Sequence, residues 1–292
     1  MLISAILVNY NDRRHLAPCL ASLRAELGDE GEIIVVDNAS TDGSPAYLAS
    51  EFPAVRMIAN ADNRGFGAAN NQGLAAAAGA LVLFLNTDTV LGPGSIRRLV
   101  QTLTENPDAA AVGPALIHPD GSFQDSFGKN VSFAAQFVQK LFLNPFYKRA
   151  LRRRADPRRV GWLSAACLLV RMDALRLIGG FDERYFLYFE DIDLCRRLAV
   201  SGGRLVFEPR AAVVHEGGAT TTGRARDSRF EYRRSQLCFY SRHAPPASRF
   251  FLRLYLRMAV AGMAARGSFR GAEGRALRRR YRRLLGKESG VP

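Results

Sequence analysis

From its start to about residue 217 the chain alternates short apolar runs with stretches whose apolar positions recur at helical spacing. The runs Ile3–Asn9, Glu32–Asp37, Val55–Ala59, Leu81–Asn86, Ala110–Pro114, Leu163–Val170 and Leu205–Phe207 predict strands. Between them, Arg13–Glu26, Ser44–Glu51, Phe66–Ala78, Gly94–Glu105 and Asp191–Ser201 predict helices. That alternation is the mark of the α/β class, with a mostly parallel sheet flanked by helices. Leu81-Val82-Leu83-Phe84-Leu85 is apolar on both faces, as a central strand should be.

The pattern dissolves from Lys129 to Arg159, where aromatics give way to basic residues; we read a mobile excursion from the sheet, with some helix in it. Beyond Phe230 the spacing is helical again, with arginines on one face and Phe, Leu, Tyr or Met on another. No repeat or low-complexity linker separates these parts. We expect a catalytic domain over residues 1–223 and a basic helical extension over 224–292.

Composition refines this picture in three ways. With 292 residues, 48% of them apolar, the chain can bury a real core. The opening Met1–Asn9 has no basic region or cleavage site, so no signal peptide is expected, and the apolar stretch Gly73–Leu85 is too short to span a bilayer. The four cysteines, Cys19, Cys167, Cys195 and Cys238, lack metal or disulfide spacing and fit a reducing, cytosolic compartment. The whole net charge of +14 falls in residues 224–292, which hold eighteen basic and four acidic residues. Such a tail binds or borders something anionic.

Candidate chemistry sits at the ends of the apolar runs, where open α/β sheets bind ligands. Asp37 and Asn38 close one strand and can bond a base or ribose; Ser40 to Ser44 read as turn and cap residues. Gly65 and Gly67 open a helix and allow close backbone approach to a phosphate or sugar. They half-match a dinucleotide fingerprint, but Asn70 replaces the third glycine, so a dehydrogenase is the weaker reading. Asn86-Thr87-Asp88 ends the most buried strand and offers hard oxygen ligands to Mg²⁺ or Mn²⁺. His215, one of four histidines, closes another apolar run and can complete such a site as a neutral imidazole. Finally, Glu190, Asp191 and Asp193 follow the aromatic run Phe181–Phe189. Burial there raises a carboxylate toward a useful pKa for a general base, although the same residues would also suit an acidic first helical turn.

Taken in order, Val8-Asn9-Tyr10-Asn11, Val36–Ser44, Asn63-Arg64-Gly65-Phe66-Gly67, Leu85–Asp88, and Gly179–Glu183 running into Phe189–Leu194 resemble the family 2 glycosyltransferases of the GT-A fold. The match is to bacterial, rhamnosyltransferase-like members and covers roughly residues 3–217. The resemblance implies a nucleotide-diphospho-sugar transferase fold with Asn9, Asp37, Asn38, Arg64, Gly65, Asn86 and Asp88 on the donor side. It further implies Asp88 and His215 as ligands of Mg²⁺ or Mn²⁺, and Asp191 as catalytic base. One departure is Asn86, which stands where the family's metal motif opens with Asp. Glu190 and Trp162 are candidates for the acceptor side, the indole through stacking on a sugar, with core packing the equal alternative.

By this resemblance the chain looks like an inverting, metal-dependent glycosyltransferase. On resemblance alone the expected donor is dTDP-L-rhamnose, followed by a UDP-hexose. The acceptor is expected to be a glycan, such as a polyprenyl-diphosphate-linked one, met by a cytoplasmic protein peripheral to the inner face of the membrane, with anionic lipid as partner. Two other classes stay open. A nucleic-acid-binding protein would use the basic tail, but its polyanion would be repelled by the acidic cluster; a catalytically silent sugar-binding module would not need Asp88 and Asp191.

Overall fold

The computed structural model describes residues 2–128, 156–217, 225–265, 267 and 269–286. Most of the Lys129–Arg159 excursion therefore lies outside the described residues; its end, Arg158–Arg159, is a short strand.

In chain order the elements are β1 (Ile3–Asn9), α1 (Arg13–Leu27), β2 (Gly31–Asp37), α2 (Ser44–Glu51), β3 (Arg56–Ala59), α3 (Phe66–Ala76), β4 (Leu81–Asn86), β5 (Thr89–Leu91), α4 (Ser95–Glu105) and β6 (Ala109–Ile117). They continue as β7 (Phe127–Gly128), β8 (Arg158–Arg159), β9 (Trp162–Leu163), β10 (Cys167–Arg171), α5 (Met172–Ile178), α6 (Glu190–Val200), β11 (Arg204–His215), α7 (Ala225–His243), α8 (Pro246–Ala265) and α9 (Gly271–Gly286). The main sheet runs β3-β2-β1-β4-β10-β6-β11-β5, with β8 beside β11. Strands β3, β2, β1 and β4 are mutually parallel, β10 is antiparallel to both its neighbours, and β6 pairs in parallel with β11. A β7–β9 pair stands apart.

Helices cover both faces. Leu16, Leu20 and Leu23 of α1 join Ile96, Leu99 and Leu103 of α4 in one core layer. Leu175 of α5, Phe181, and Leu194 and Leu198 of α6 pack with Phe84 and Leu168 in the other. Burying each such leucine contributes about 1.5–3 kcal/mol, so the two layers fix where the strand ends point. Because β1, β2 and β4 are parallel and in register, Asn9, Asp37 and Asn86 finish at the same edge of the sheet.

Several boundaries differ from the sequence expectation. The run Leu163–Val170 is two strands, β9 and β10, separated at Ser164–Ala166. The run Leu205–Phe207 is only the start of a strand reaching His215, with a register shift between Glu208 and Ala212 around Pro209. Proline has no N–H to give a ladder, which suits the shift.

The C-terminal helices pack on the aromatic loop. Leu237, Phe239 and Tyr240 of α7, Leu252 and Leu256 of α8 and Leu285 of α9 share a cluster with Tyr185 and Phe189. On α8 the opposite residues Phe250, Phe251, Leu254, Tyr255 and Met258 are exposed, at 41–63%. The core packing of α8 comes from Leu252 and Leu256. No helix among the described residues is long and apolar enough to cross a membrane.

Candidate active site

At the first strand ends, Asn9 donates to Asp37 Oδ1 at 2.7 Å and to Ser40 at 3.0 Å, and the Ser40 N–H donates to Asp37 Oδ2 at 2.9 Å. Asn9 Oδ1 is buried with no hydrogen-bond partner among the described residues. Asn38 is nearly inaccessible and organises the next loop: its amide donates to Asn63 Oδ1 and the Gly65 carbonyl, both at 3.1 Å, and its oxygen accepts from Asn60 and the Arg64 N–H. Arg64 itself is exposed. Asp42 accepts from the N–H and hydroxyl of Ser44, as expected of turn residues.

The room at Gly65 is taken by protein. Its φ is +86°, and a Cβ there would meet the Phe186 carbonyl oxygen at 2.6 Å. Phe66 donates its N–H to that same carbonyl at 2.9 Å. At Gly67 a Cβ would lie 3.3 Å from Phe181 Cβ. The glycine pair thus lets α3 seat against the aromatic loop, which accounts for the partial fingerprint without a dinucleotide.

β4 delivers Asn86 and Asp88 opposite the end of β11. His215 Nε2 is 3.2 Å from Asp88 Oδ1 and 3.3 Å from the Asn86 amide nitrogen. His215 Nδ1 lies 2.8 Å from Gln124 Oε1, an acceptor, so Nδ1 carries a proton and Nε2 is the nitrogen turned toward Asp88. A metal-binding histidine is held by a partner on its other nitrogen in this way. When the imidazole is neutral, its Nε2 and the Asp88 carboxylate, 3.2 Å apart, can serve as neighbouring ligands of one cation. Among the described residues no three His, Cys, Asp or Glu side chains are placed to hold a metal ion together. The pair Asp88 and His215 still fits Mg²⁺ or Mn²⁺ carrying a diphosphate, because such ions keep waters and substrate phosphates as their other ligands. Burial raises the Asp88 carboxyl, but the bond and charge of His215 and the Gly217 N–H outweigh it and leave the group below its ordinary range.

Beside this pair stands a network the sequence reading missed. Asp12 accepts from Thr87 at 2.7 Å and meets His15 Nδ1, while His15 Nε2 is 2.9 Å from Glu216. Burial raises Asp12 despite those bonds. The Asp12–His15 spacing of one helical turn was a usable signal; Gln124, in irregular chain before β7, gave none.

The acidic cluster separates into three environments. Asp193 is fully buried and bonded to Arg197 and His243, both at 2.6 Å, so its role is structural. Glu190 is buried, its Oε2 has no hydrogen-bond partner among the described residues, and burial followed by the charge of Asp191 pushes it well above the usual carboxylate range. Asp191 is partly exposed. Burial raises it to about 6 against the bonds from the Ala165 and Ile192 N–H groups, at 3.3 and 2.8 Å. Burial thus raises both carboxyls, and the charge of Asp191 raises Glu190 further. Tyr188 and Phe189, just before them, have φ of +67° and +68°, a conformation costly for residues with a Cβ. Their rings are held by Tyr232, at 5.7 and 5.3 Å. Trp162 is half-buried on β9 against the core layer of α6, three residues before Ala165.

The fold is that of the GT-A glycosyltransferases. The chain belongs to Glycosyl transferase family 2, whose family model matches residues 4–179, and it is a glycosyltransferase. It is 38% identical over 242 residues to the N-acetylglucosaminyl-diphospho-decaprenol L-rhamnosyltransferase of Mycobacterium tuberculosis (strain ATCC 25618 / H37Rv), covering 76% of this chain and 78% of that protein. It is 30% identical over 230 residues to the O-antigen biosynthesis protein RfbC of Myxococcus xanthus, covering 74% of this chain and 17% of that protein. Among solved structures, the mannosyltransferase PcManGT from Pyrobaculum calidifontis, in complex with GDP-Man and Mn²⁺, superposes with a TM-score of 0.57 at 20% identity, over 98% of this chain and 81% of that one.

Proposed function

We propose that the protein transfers L-rhamnose from dTDP-L-rhamnose to a lipid-linked, diphosphate-bearing glycan in cell-surface polysaccharide synthesis. The observation that carries the chemistry is Asp191, partly exposed at the end of the aromatic loop, held by the Ala165 and Ile192 N–H groups and raised to about 6 by burial. The donor and acceptor classes rest on the identity to the mycobacterial rhamnosyltransferase.

In this reading Asp37 and Asn9 bind the nucleotide side of the donor, and Arg64, exposed beside Gly65, faces its diphosphate. Asp88 and His215 hold a divalent ion, with Asn86 at their side; bound there, the ion supplies Lewis-acid stabilisation of the departing diphosphate. Asp191 takes the proton of an acceptor hydroxyl as that oxygen forms its bond to the anomeric carbon. The bond from that carbon to the diphosphate breaks on the opposite face, so configuration inverts in one displacement. Glu190 donates a hydrogen bond to the acceptor, and Trp162 offers its indole to the sugar ring.

The exposed face of α8, with Phe250, Phe251, Leu254 and Met258 among Arg249, Arg253 and Arg257, supports docking on an anionic membrane from the cytoplasmic side. Each basic residue near such a surface contributes roughly 1 kcal/mol. The direct test is transfer to a synthetic prenyl-diphosphate N-acetylglucosamine, comparing dTDP-L-rhamnose with UDP-hexoses, with Mn²⁺ and with chelator. Turnover with a UDP-hexose alone would refute the donor, and full activity in chelator would refute the metal.

A further inference from the structure

We propose that the cavity between α7, α8 and the aromatic loop holds the diphosphate and first isoprene units of the acceptor lipid. It encloses about 450 Å³, and its wall is divided by chemistry. Leu256, Val260 and Met263 of α8 supply an apolar side, while Arg229 and Arg233 of α7 and Tyr188 supply a polar one.

The neighbouring arginines set these two apart. Glu231 neutralises Arg234 at 3.2 Å and Arg280 at 3.0 Å, and Asp227 also pairs with Arg280. Among the described residues neither Arg229 nor Arg233 has a carboxylate within ion-pair distance. Arg233 lies over the rings of Tyr232 and Tyr255, at 5.4 and 5.6 Å, and donates to Gln236 at 2.8 Å, so its guanidinium is held in place. Two uncompensated guanidinium groups match the oxygens of a diphosphate. The apolar wall opposite them matches a hydrocarbon chain and has no use for a polynucleotide. An amphiphilic anion satisfies both sides at once.

Position agrees with chemistry. Tyr188 lines the cavity and stands three residues before Asp191, a reach of at most about 11 Å. A sugar attached to a diphosphate seated there can present its hydroxyl to the base. The other face of α8 carries the exposed apolar stripe, so the lipid surface and the cavity share one helix. The assignment rests on the glycosyltransferase reading for its purpose, but its test does not depend on catalysis.

Calorimetric titration of the full chain with geranylgeranyl diphosphate, in chelator to silence metal-dependent donor binding, reads the site directly. Geranylgeraniol and inorganic diphosphate serve as half-ligands. The intact compound should bind at least tenfold tighter than either. Arg229→Gln/Arg233→Gln should weaken it tenfold or more, as should Ala259→Phe, which fills the cavity. Should the double variant fail to fold, Arg229→Gln alone, at an exposed position, carries the same expectation. Wild-type affinity in the folded variants, or equal affinity for either half-ligand, would overturn the assignment. Nucleotide binding measured separately with Mn²⁺ reports on the donor site, so failure there with retained lipid binding would count against the transferase mechanism and not against this cavity.

Discussion

His243 Nε2 lies 2.6 Å from Asp193 Oδ1, and that bond ties the C-terminal helix α7 to the helix that carries Asp191. Asp193 also accepts from Arg197, so one buried carboxylate fixes both the extension and the start of α6. Burial alone would raise Asp193, but His243 and Arg197 hold it below its ordinary range. Its contribution to stability is therefore present above the unfolded value near 3.9 and is lost as pH falls through the lower folded value. Asp193→Ala, which leaves Arg197 and His243 without their partner, should cost about 3 kcal/mol in denaturant unfolding. It should also flatten the loss of stability below about pH 4. A change under about 0.5 kcal/mol, the usual range for a surface site, would contradict this role.

Glu190 works in the opposite sense. Its raised carboxyl binds a proton in the folded state that the unfolded chain releases above about pH 4.3, so stability falls as pH rises from there. Glu190→Gln removes that penalty. Melting curves from pH 5 to 8 should show a variant at least as stable as wild type at pH 8 and a shallower decline with pH. A variant that is destabilised at pH 8 with an unchanged slope would show that the carboxyl is ionised in the fold.

For the metal pair, nucleoside diphosphate binding in the presence and absence of Mn²⁺ gives the readout. Asp88→Ala should abolish the Mn²⁺-dependent part, and His215→Ala should weaken it by the ~10–100-fold typical of lost metal ligation or its support. Gln124→Ala, which releases His215 Nδ1, should produce a smaller loss of the same kind. Unchanged Mn²⁺-dependent affinity in the Asp88 variant would remove the ion from this site.

Membrane docking separates from folding because the stripe on α8 is exposed. Phe250→Ser/Phe251→Ser/Met258→Ser should leave the melting temperature within a few degrees and reduce sedimentation with anionic vesicles. Raising salt should reduce it in the wild type too, since surface charge is screened within about 8 Å at physiological ionic strength. Full retention by the triple variant would assign the contact elsewhere.

Much of this was legible in the sequence, and the gaps have physical causes. Asn9, Asp37 and Asn86 end parallel strands whose apolar runs are unbroken, so the sheet edge could be read directly. The last strand could not, because Glu208, Pro209 and Arg210 interrupt its apolar pattern; in the fold Glu208 is buried by pairing with Arg210 and Thr102. The three acidic residues of α6 looked alike in sequence. Their separate environments come from residues far along the chain, with Ala165 reaching Asp191 and His243 reaching Asp193. Phosphate approach at Gly65 was a reasonable expectation from glycine spacing, but only the fold shows Phe186 in that space.

The most direct measurement is the pH dependence of transfer in wild type, Asp191→Asn and Glu190→Gln, with nucleotide affinity determined alongside. Wild-type kcat/KM should fall on the acidic side with an apparent pKa near 6. Asp191→Asn should lose at least the ~10²-fold typical of general-base catalysis while binding nucleotide normally, and Glu190→Gln should keep the larger share of its rate. Near-normal turnover by Asp191→Asn together with an inactive Glu190→Gln would rule out Asp191 and make Glu190 the base.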